Sequence, residues 1–311
     1  MRALAYLLLI LLPVLVLPSV CRAAMADIFS VDQRNQKVLE IEAALAEAQA
    51  AVSIIPAEAA AEIRAKASIE FAKAEDIARE YAVVEHRMVA LLNVWGRSMA
   101  GGAEQYVHFG ATTVDIYDTL LVLQLLDAAE ILQADLLAFE DALLIQAERH
   151  AGTVMIGRTL GQHALPITFG KKLAVWLGEN RRHLQRLQQV RARLRQSAIL
   201  KGAVGSYLGL GDDAMKVEQL FAEKLGLDRP YIADWHSSRD VFAEYAQLLA
   251  LISQSMSRLG TELFLLQMTD IGETVEYRPE TVVGSSTMPH KNNPGKSESL
   301  IQYGRSIPAL A

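Results

Sequence analysis

Between Gly284 and Pro294 the chain reads GSSTMPHKNNP, a run of hydroxyl side chains, a cation and two amides punctuated by prolines. Such a stretch has neither the 3.6-residue apolar rhythm of a helix nor the two-residue rhythm of a half-buried strand, so it forms a loop. Lys291 offers a point charge and Asn293 a donor amide, a pair suited to an anionic group. Ser285 and Ser286 follow Gly284, whose backbone freedom allows a turn that presents a hydroxyl. A serine by itself is a poor base, because its pKa is very high; it accepts a proton only in a positive setting or beside backbone amides. From the residues alone, this is either a binding loop or a surface connection.

Other polar side chains with chemical potential gather at breaks between apolar, helix-patterned segments. His108 stands with Thr112 and Thr113, Thr159 with Gln162 and His163, and Trp235-His236 with Arg239 and Asp240. The threonines precede Asp115 and Asp118, which reads equally as an N-terminal helix cap or as a carboxylate receptor built on a helix N-terminus. His86 is the exception, since it falls inside a helical pattern, where it is an ordinary helix residue as readily as a ligand contact. Seven histidines invite a metal reading, but no HExxH or close His/Asp cluster exists. Neither a metal nor another cofactor is expected, because nothing matches a dinucleotide or P-loop fingerprint.

The elements that must position these residues are helices. Val38, Ile41, Leu45, Ala48 and Val52 recur at three and four, and Ile54-Ile55-Pro56 ends one helix and starts the next. A helical pattern also covers about 72–94. From Val114 to about His150 there is neither Gly nor Pro, and Leu121, Leu125, Leu132, Leu136, Phe139 and Leu143 mark a face of a helix roughly 50 Å long. Residues 167–200 and 235–270 predict two companions, separated by a compact turn region at 202–211. No run supports a sheet of several strands. The predicted fold class is all-α, a long-helix bundle, with apolar faces broad enough to continue into other subunits.

At 311 residues, with 51% apolar and 21% charged residues, the chain is no candidate for disorder. A net charge of −6 offers no footprint for a nucleic-acid partner. The basic run from Lys171 to Arg195 is interleaved with Leu and Val at helical spacing and reads as a solvated helix face. The single cysteine, Cys21, leaves the body without a disulfide or a thiol nucleophile. It lies in an apolar leader, residues 1–26, which reads as a secretory signal, a membrane anchor, or sequence upstream of a true start at Met25. The product is expected to be cytoplasmic if Met25 is the start, and periplasmic or membrane-associated if the leader is real. Residues 27–111 are expected to form an N-terminal helical domain and 112–311 a central long-helix domain.

Three segments together, HFGATTVDIYDT (108–119), GRTLGQHALPITFG (157–170) and GSSTMPHKNNP, resemble the fumarase/aspartase superfamily. Within it the chain is most similar to the branch of 3-carboxy-cis,cis-muconate cycloisomerases and adenylosuccinate lyases. Trp235-His236-Ser237-Ser238-Arg239-Asp240 leans toward the cycloisomerases. The resemblance implies an all-helical homotetramer in which each active site draws on three subunits, acting on a small di- or tricarboxylate. It implies Ser285 as general base and Lys291 and Asn293 as the hold on the carboxylate where charge accumulates. It assigns His108, Thr112, Thr113, Thr159, Gln162, Arg239, Ser286 and Met288 to substrate binding, and His86 more loosely.

The chain departs from that pattern in two places. Adenylosuccinate lyases and fumarases carry a proton-transferring histidine after the threonine of the second segment, where this chain has Leu160. Glu298 matches the glutamate that supports that histidine and is left without it, while His163 could reach in as a substitute or only line the pocket. A reaction needing less acid assistance, such as closing or opening a lactone, suits the leucine, because a carboxylate leaves without protonation. Subunits of the family are also longer, so the C-terminal part of the bundle is expected to be missing. The alternatives are an adenylosuccinate lyase-like or other substituted-succinate lyase, and a catalytically silent helical scaffold.

Overall fold

The computed structural model describes residues 24–279, 281–288 and 290–311. Most of the apolar leader, including Cys21, lies outside the described residues. Among the described residues, no helix is long and apolar enough to cross a membrane. The chain forms two compact units, each assembled from separated stretches.

One unit contains, among the described residues, 24–131 and 190–241. Helix α1 (Val31–Ala50) starts at Ser30, whose Oγ accepts the Gln33 N–H, and its apolar repeat buries Val38, Leu39, Ile41 and Leu45. Pro56 is the N-cap residue of α2 (Ala57–Ala65). The pattern over 72–94 proves to be two helices, α3 (Ala74–Val84) and α4 (Arg87–Gly96). Glu85 breaks them with φ 53°, and His86 caps α4 by accepting the Val89 N–H on Nδ1. His86 is therefore an exposed cap rather than a residue inside a helix, and no glycine or proline marks the break in the sequence. The core also takes in Met88, Trp95, Ile116, Leu200, Val217 and Phe221. Trp95 is fully buried and donates its indole N–H to the Lys66 carbonyl at 2.6 Å, satisfying the polar atom it carries inside.

Two turns of this unit meet at glycine. Gly110 has φ 73°, and a Cβ there would stand 2.4 Å from the Gly209 carbonyl oxygen. Only hydrogen at that position lets the 107–112 turn pack against the 201–211 segment. A buried ionic network fixes the same segment. Lys201 Nζ donates to Glu218 Oε1 at 2.7 Å and to Tyr207 Oη at 2.8 Å, and Tyr207 Oη donates to Glu218 Oε2 at 2.7 Å. Burial, with the Glu218 bond and charge, pushes the Tyr207 phenol far above its ordinary range, so it stays a donor.

The other unit contains residues 132–189 and 242–311. Helix α5 runs from Thr113 to Arg149, close to its expected span; its residues up to Ile131 belong to the first unit and the rest to this one. A hairpin follows, with β1 (Val154–Thr159) and β2 (Gln162–Thr168) antiparallel and Thr159 opposite Gln162. These are the only strands among the described residues. A two-residue turn makes the hairpin possible: Leu160 and Gly161 both have positive φ, 51° and 76°, which matches the twist of the strands. The sequence reading took this stretch only as a polar break. Helix α6 (Phe169–Leu194) begins directly after the hairpin, and α8 (Asp240–Leu266) is shorter at both ends than its apolar pattern suggested. Between them in sequence lies α7 (Ala214–Lys224), in the first unit. Phe169, Leu173, Trp176, Leu143 and Leu259 form the second unit's core, with Leu300 of α9 (Gly295–Ser306) packed against it.

Candidate active site

In the first unit the 108–118 segment is held by carboxylates. Asp115, in the opening turn of α5, accepts three backbone N–H groups: Thr112 at 3.1 Å, Lys201 at 3.2 Å and Gly202 at 2.9 Å. A side-chain carboxylate, not a threonine hydroxyl, thus caps the turn. Among the described residues no hydrogen bond engages the hydroxyl of Thr112 or Thr113, and both residues are half-buried. Burial raises the Asp115 carboxyl above its usual range against the pull of its three amides. Asp118 is bonded through Oδ1 to Arg239 Nη1 at 2.9 Å, while its buried Oδ2 has no partner. His108 sits at φ 60° with Nδ1 2.7 Å from Glu42 Oε1. The structure therefore gathers His108, Asp115, Asp118 and Arg239 around the start of one helix, and sequence reasoning missed Glu42 as a member.

In the second unit the hairpin presents Thr159, Gln162 and His163 at its exposed tip, with His163 opposite Arg158 in register. Leu160 is 100% exposed. Arg158 makes a two-pronged ion pair with Glu273, at 2.8 and 2.7 Å, which ties the hairpin to the segment leading into the 284–294 loop. A hairpin of two strands is marginal by itself, and a bidentate pair of this geometry is the kind that holds one.

Within the loop, Ser285 Oγ accepts the Met288 N–H at 3.2 Å, and the Thr287 N–H lies at 3.5 Å. Amides aimed at this oxygen are what a serine needs to carry alkoxide character. Ser286 Oγ is 3.4 Å from the Thr287 hydroxyl, and Met288, Lys291 and Asn293 are exposed. Glu298 is also exposed, in the first turn of α9. Among the described residues, no hydrogen bond joins Ser285 to His163, Lys291 or Glu298.

Two residues unmarked in the sequence hold the loop. Arg278 lies so close to Gly284 that a Cβ there would stand 1.6 Å from its Nη1, and its other nitrogen donates to Asn292, so it spans both ends of the loop. Glu276 receives the α9 N-terminus: its carboxylate accepts the Lys296 N–H at 3.1 Å, the Ser297 N–H at 2.7 Å and the Ser297 hydroxyl at 2.5 Å. A cavity of about 430 Å³ opens between this segment and the loop, lined by Tyr277, Arg278, Gly284, Asn292, Asn293 and Lys296. Glu276→Ala is expected to destabilise the protein by about 1–2 kcal/mol, the cost of an unmet helix cap. Thermal denaturation of the variant checks this, and Glu276→Gln should recover part of the loss.

The sequence model of a lyase family matches residues 19–308, nearly the whole of the described chain. The chain belongs to the fumarase/aspartase superfamily. The 3-carboxy-cis,cis-muconate cycloisomerase of Pseudomonas aeruginosa is 42% identical over 93% of this chain and 63% of its own length. The adenylosuccinate lyase of Methanocaldococcus jannaschii is 40% identical over 92% of this chain and 62% of its own. The crystal structure of the 3-carboxy-cis,cis-muconate lactonizing enzyme from Pseudomonas putida superposes with a TM-score of 0.83 at 42% identity, covering 93% of this chain and 64% of that one. The fold is accordingly the helical bundle of this superfamily. The chain spans less than two thirds of the length of these relatives. All three carry enzyme names, and a silent scaffold finds no support among them.

Proposed function

We propose that the chain belongs to an enzyme that removes a proton next to a carboxylate and expels a leaving group from the adjacent carbon, with a lactone-forming or lactone-opening reaction on a 3-carboxymuconate-like acid as the best fit. The observation that carries the choice within the family is Leu160. At the exposed tip of the hairpin, the position of a proton-transferring histidine is filled by a side chain with no proton to give. In the lactone-opening direction, Ser285 Oγ takes the proton from carbon, the C–H electrons form the new double bond, and the ring C–O bond breaks with its electron pair on a carboxylate. That carboxylate needs no protonation to depart, whereas an amine does. Lys291 and Asn293 face the dianion that accumulates on the neighbouring carboxylate.

Thr112 and Thr113, with unengaged hydroxyls at a helix N-terminus, supply a second carboxylate hold. The family resemblance supports a homotetramer whose sites combine segments from different copies. Exposed apolar side chains support the same reading, with Leu137, Leu144 and Ile145 on α5 and Leu251, Phe264 and Leu265 on α8.

The test is an ultraviolet assay with 3-carboxymuconate and its lactone, set beside fumarate release from succinyl compounds. Turnover of the former is expected; fumarate release alone would select the substituted-succinate lyase reading instead. That reading draws on the adenylosuccinate lyase of similar identity.

A further inference from the structure

Glu42 lies in the middle of α1, where its neighbours Leu39, Ala43, Leu45 and Ala46 are all buried, and its side chain is 0% exposed. A carboxylate placed there is strongly disfavoured unless its oxygens are met. Both are met by one residue. Oε2 accepts the backbone N–H of His108 at 3.1 Å, and Oε1 stands 2.7 Å from His108 Nδ1. His108 for its part adopts φ 60°, in the left-handed region that few non-glycine residues occupy. Capping of α5 does not require either expense, because Asp115 already caps it. A buried acid and a left-handed backbone are both committed to the orientation of a single imidazole, whose side chain remains 22% exposed. Such commitments cluster where a group must be presented to a ligand.

We propose that Glu42 is a positioning residue: by accepting both the backbone N–H and the Nδ1–H of His108, it holds the imidazolium form and the rotamer in which Nε2–H donates to a substrate carboxylate beside Thr112 and Thr113. This rests on the function proposed above for the identity of the ligand. The acid and the imidazole it holds are separated by 66 residues in sequence.

Donation from both ring nitrogens requires the imidazolium. Burial of the ring opposes that charge, and the Glu42 bond and charge together with the charge of Asp115 outweigh it, holding His108 above its ordinary value. The charged groups acting on the ring are Glu42 from α1 and Asp115 from α5. Gln49 of α1, which donates to the Phe109 carbonyl, and Gly209, against Gly110, add only neutral contacts to the turn. Carboxylate affinity should therefore be full at low pH and fall as pH rises through the His108 midpoint.

The experiment is an NMR titration of the His108 imidazole in the full chain, alone and with succinate as probe, comparing wild type with Glu42→Gln and His108→Gln. The wild-type midpoint is expected above about 6.5, and Glu42→Gln should lower it by about one unit or more, as loss of an adjacent opposite charge does. Succinate should weaken about tenfold per pH unit above each protein's own midpoint, and His108→Gln, which keeps a donor amide, should abolish that dependence. Coincident midpoints for wild type and Glu42→Gln, a pH dependence that survives His108→Gln, or no succinate binding at any pH would overturn the proposal. If Glu42→Gln does not fold, Glu42→Asp, which keeps the charge but withdraws it from the ring, decides the pairing: its His108 midpoint should fall below that of the wild type, and a coincident midpoint would overturn the proposal. A chain with the expected midpoints but no turnover keeps the pairing and loses the proposed reaction; normal turnover with an unshifted Glu42→Gln does the reverse.

Discussion

Ser285→Ala is expected to lower turnover by about two to four orders of magnitude, the usual contribution of a positioned general base, with substrate affinity little changed. The hydroxyl is the only group removed, and the hydrogen bonds it takes part in are local to its own turn. Its bonds are those it accepts from the Met288 and Thr287 amides. The loop is pinned by other groups, Arg278 across its ends and Glu276 at the start of α9. The variant should thus keep its KM and its thermal midpoint while kcat collapses. Steady-state kinetics with 3-carboxymuconate and its lactone, the substrates proposed above, provide the measurement. Unaltered kcat would remove Ser285 from the chemistry and with it the proposed reaction.

Glu218→Ala is expected to cost about 3–5 kcal/mol of stability, the penalty for stripping a buried ion of its partner. Lys201 and Glu218 have side chains only 2% and 5% exposed, so the ammonium left behind is shielded from bulk water. The same substitution frees the Tyr207 hydroxyl and the Leu200 N–H, which Glu218 also accepts at 3.1 Å. A denaturant midpoint shifted strongly downward is the expected reading; a change within about 1 kcal/mol, the scale of an exposed pair, would show the network to be dispensable. Pairing the change with Lys201→Met should restore part of the loss, because two apolar groups need no partner.

Much of the architecture was open to sequence reading because it is encoded locally. The unbroken apolar rhythm from Leu121 to Leu143 specifies a long helix by itself, and the structure gives Thr113–Arg149. The break at Glu85 left no such trace: a left-handed residue other than glycine or asparagine is held by its surroundings, here with His86 turned to cap the next helix. The 154–168 hairpin was equally hidden. Its turn relies on Leu160 at positive φ, which nothing in that residue's own preference favours.

The sequence by itself determined the helical class and the residue types on which the proposed chemistry rests, Ser285, Lys291 and Asn293 in the loop and Leu160 in the turn before Gly161. These are properties of residue type and short spacing. Only the tertiary structure decided that Glu42 belongs to His108, that Asp115 rather than a threonine caps α5, and that Glu276 and Arg278 brace the loop. Each of the two carboxylates Glu42 and Glu276 looks in sequence like an ordinary solvated acid. What singles them out is enclosure by apolar neighbours or the approach of unpaired N–H groups, and both arise only when distant stretches of chain are folded together.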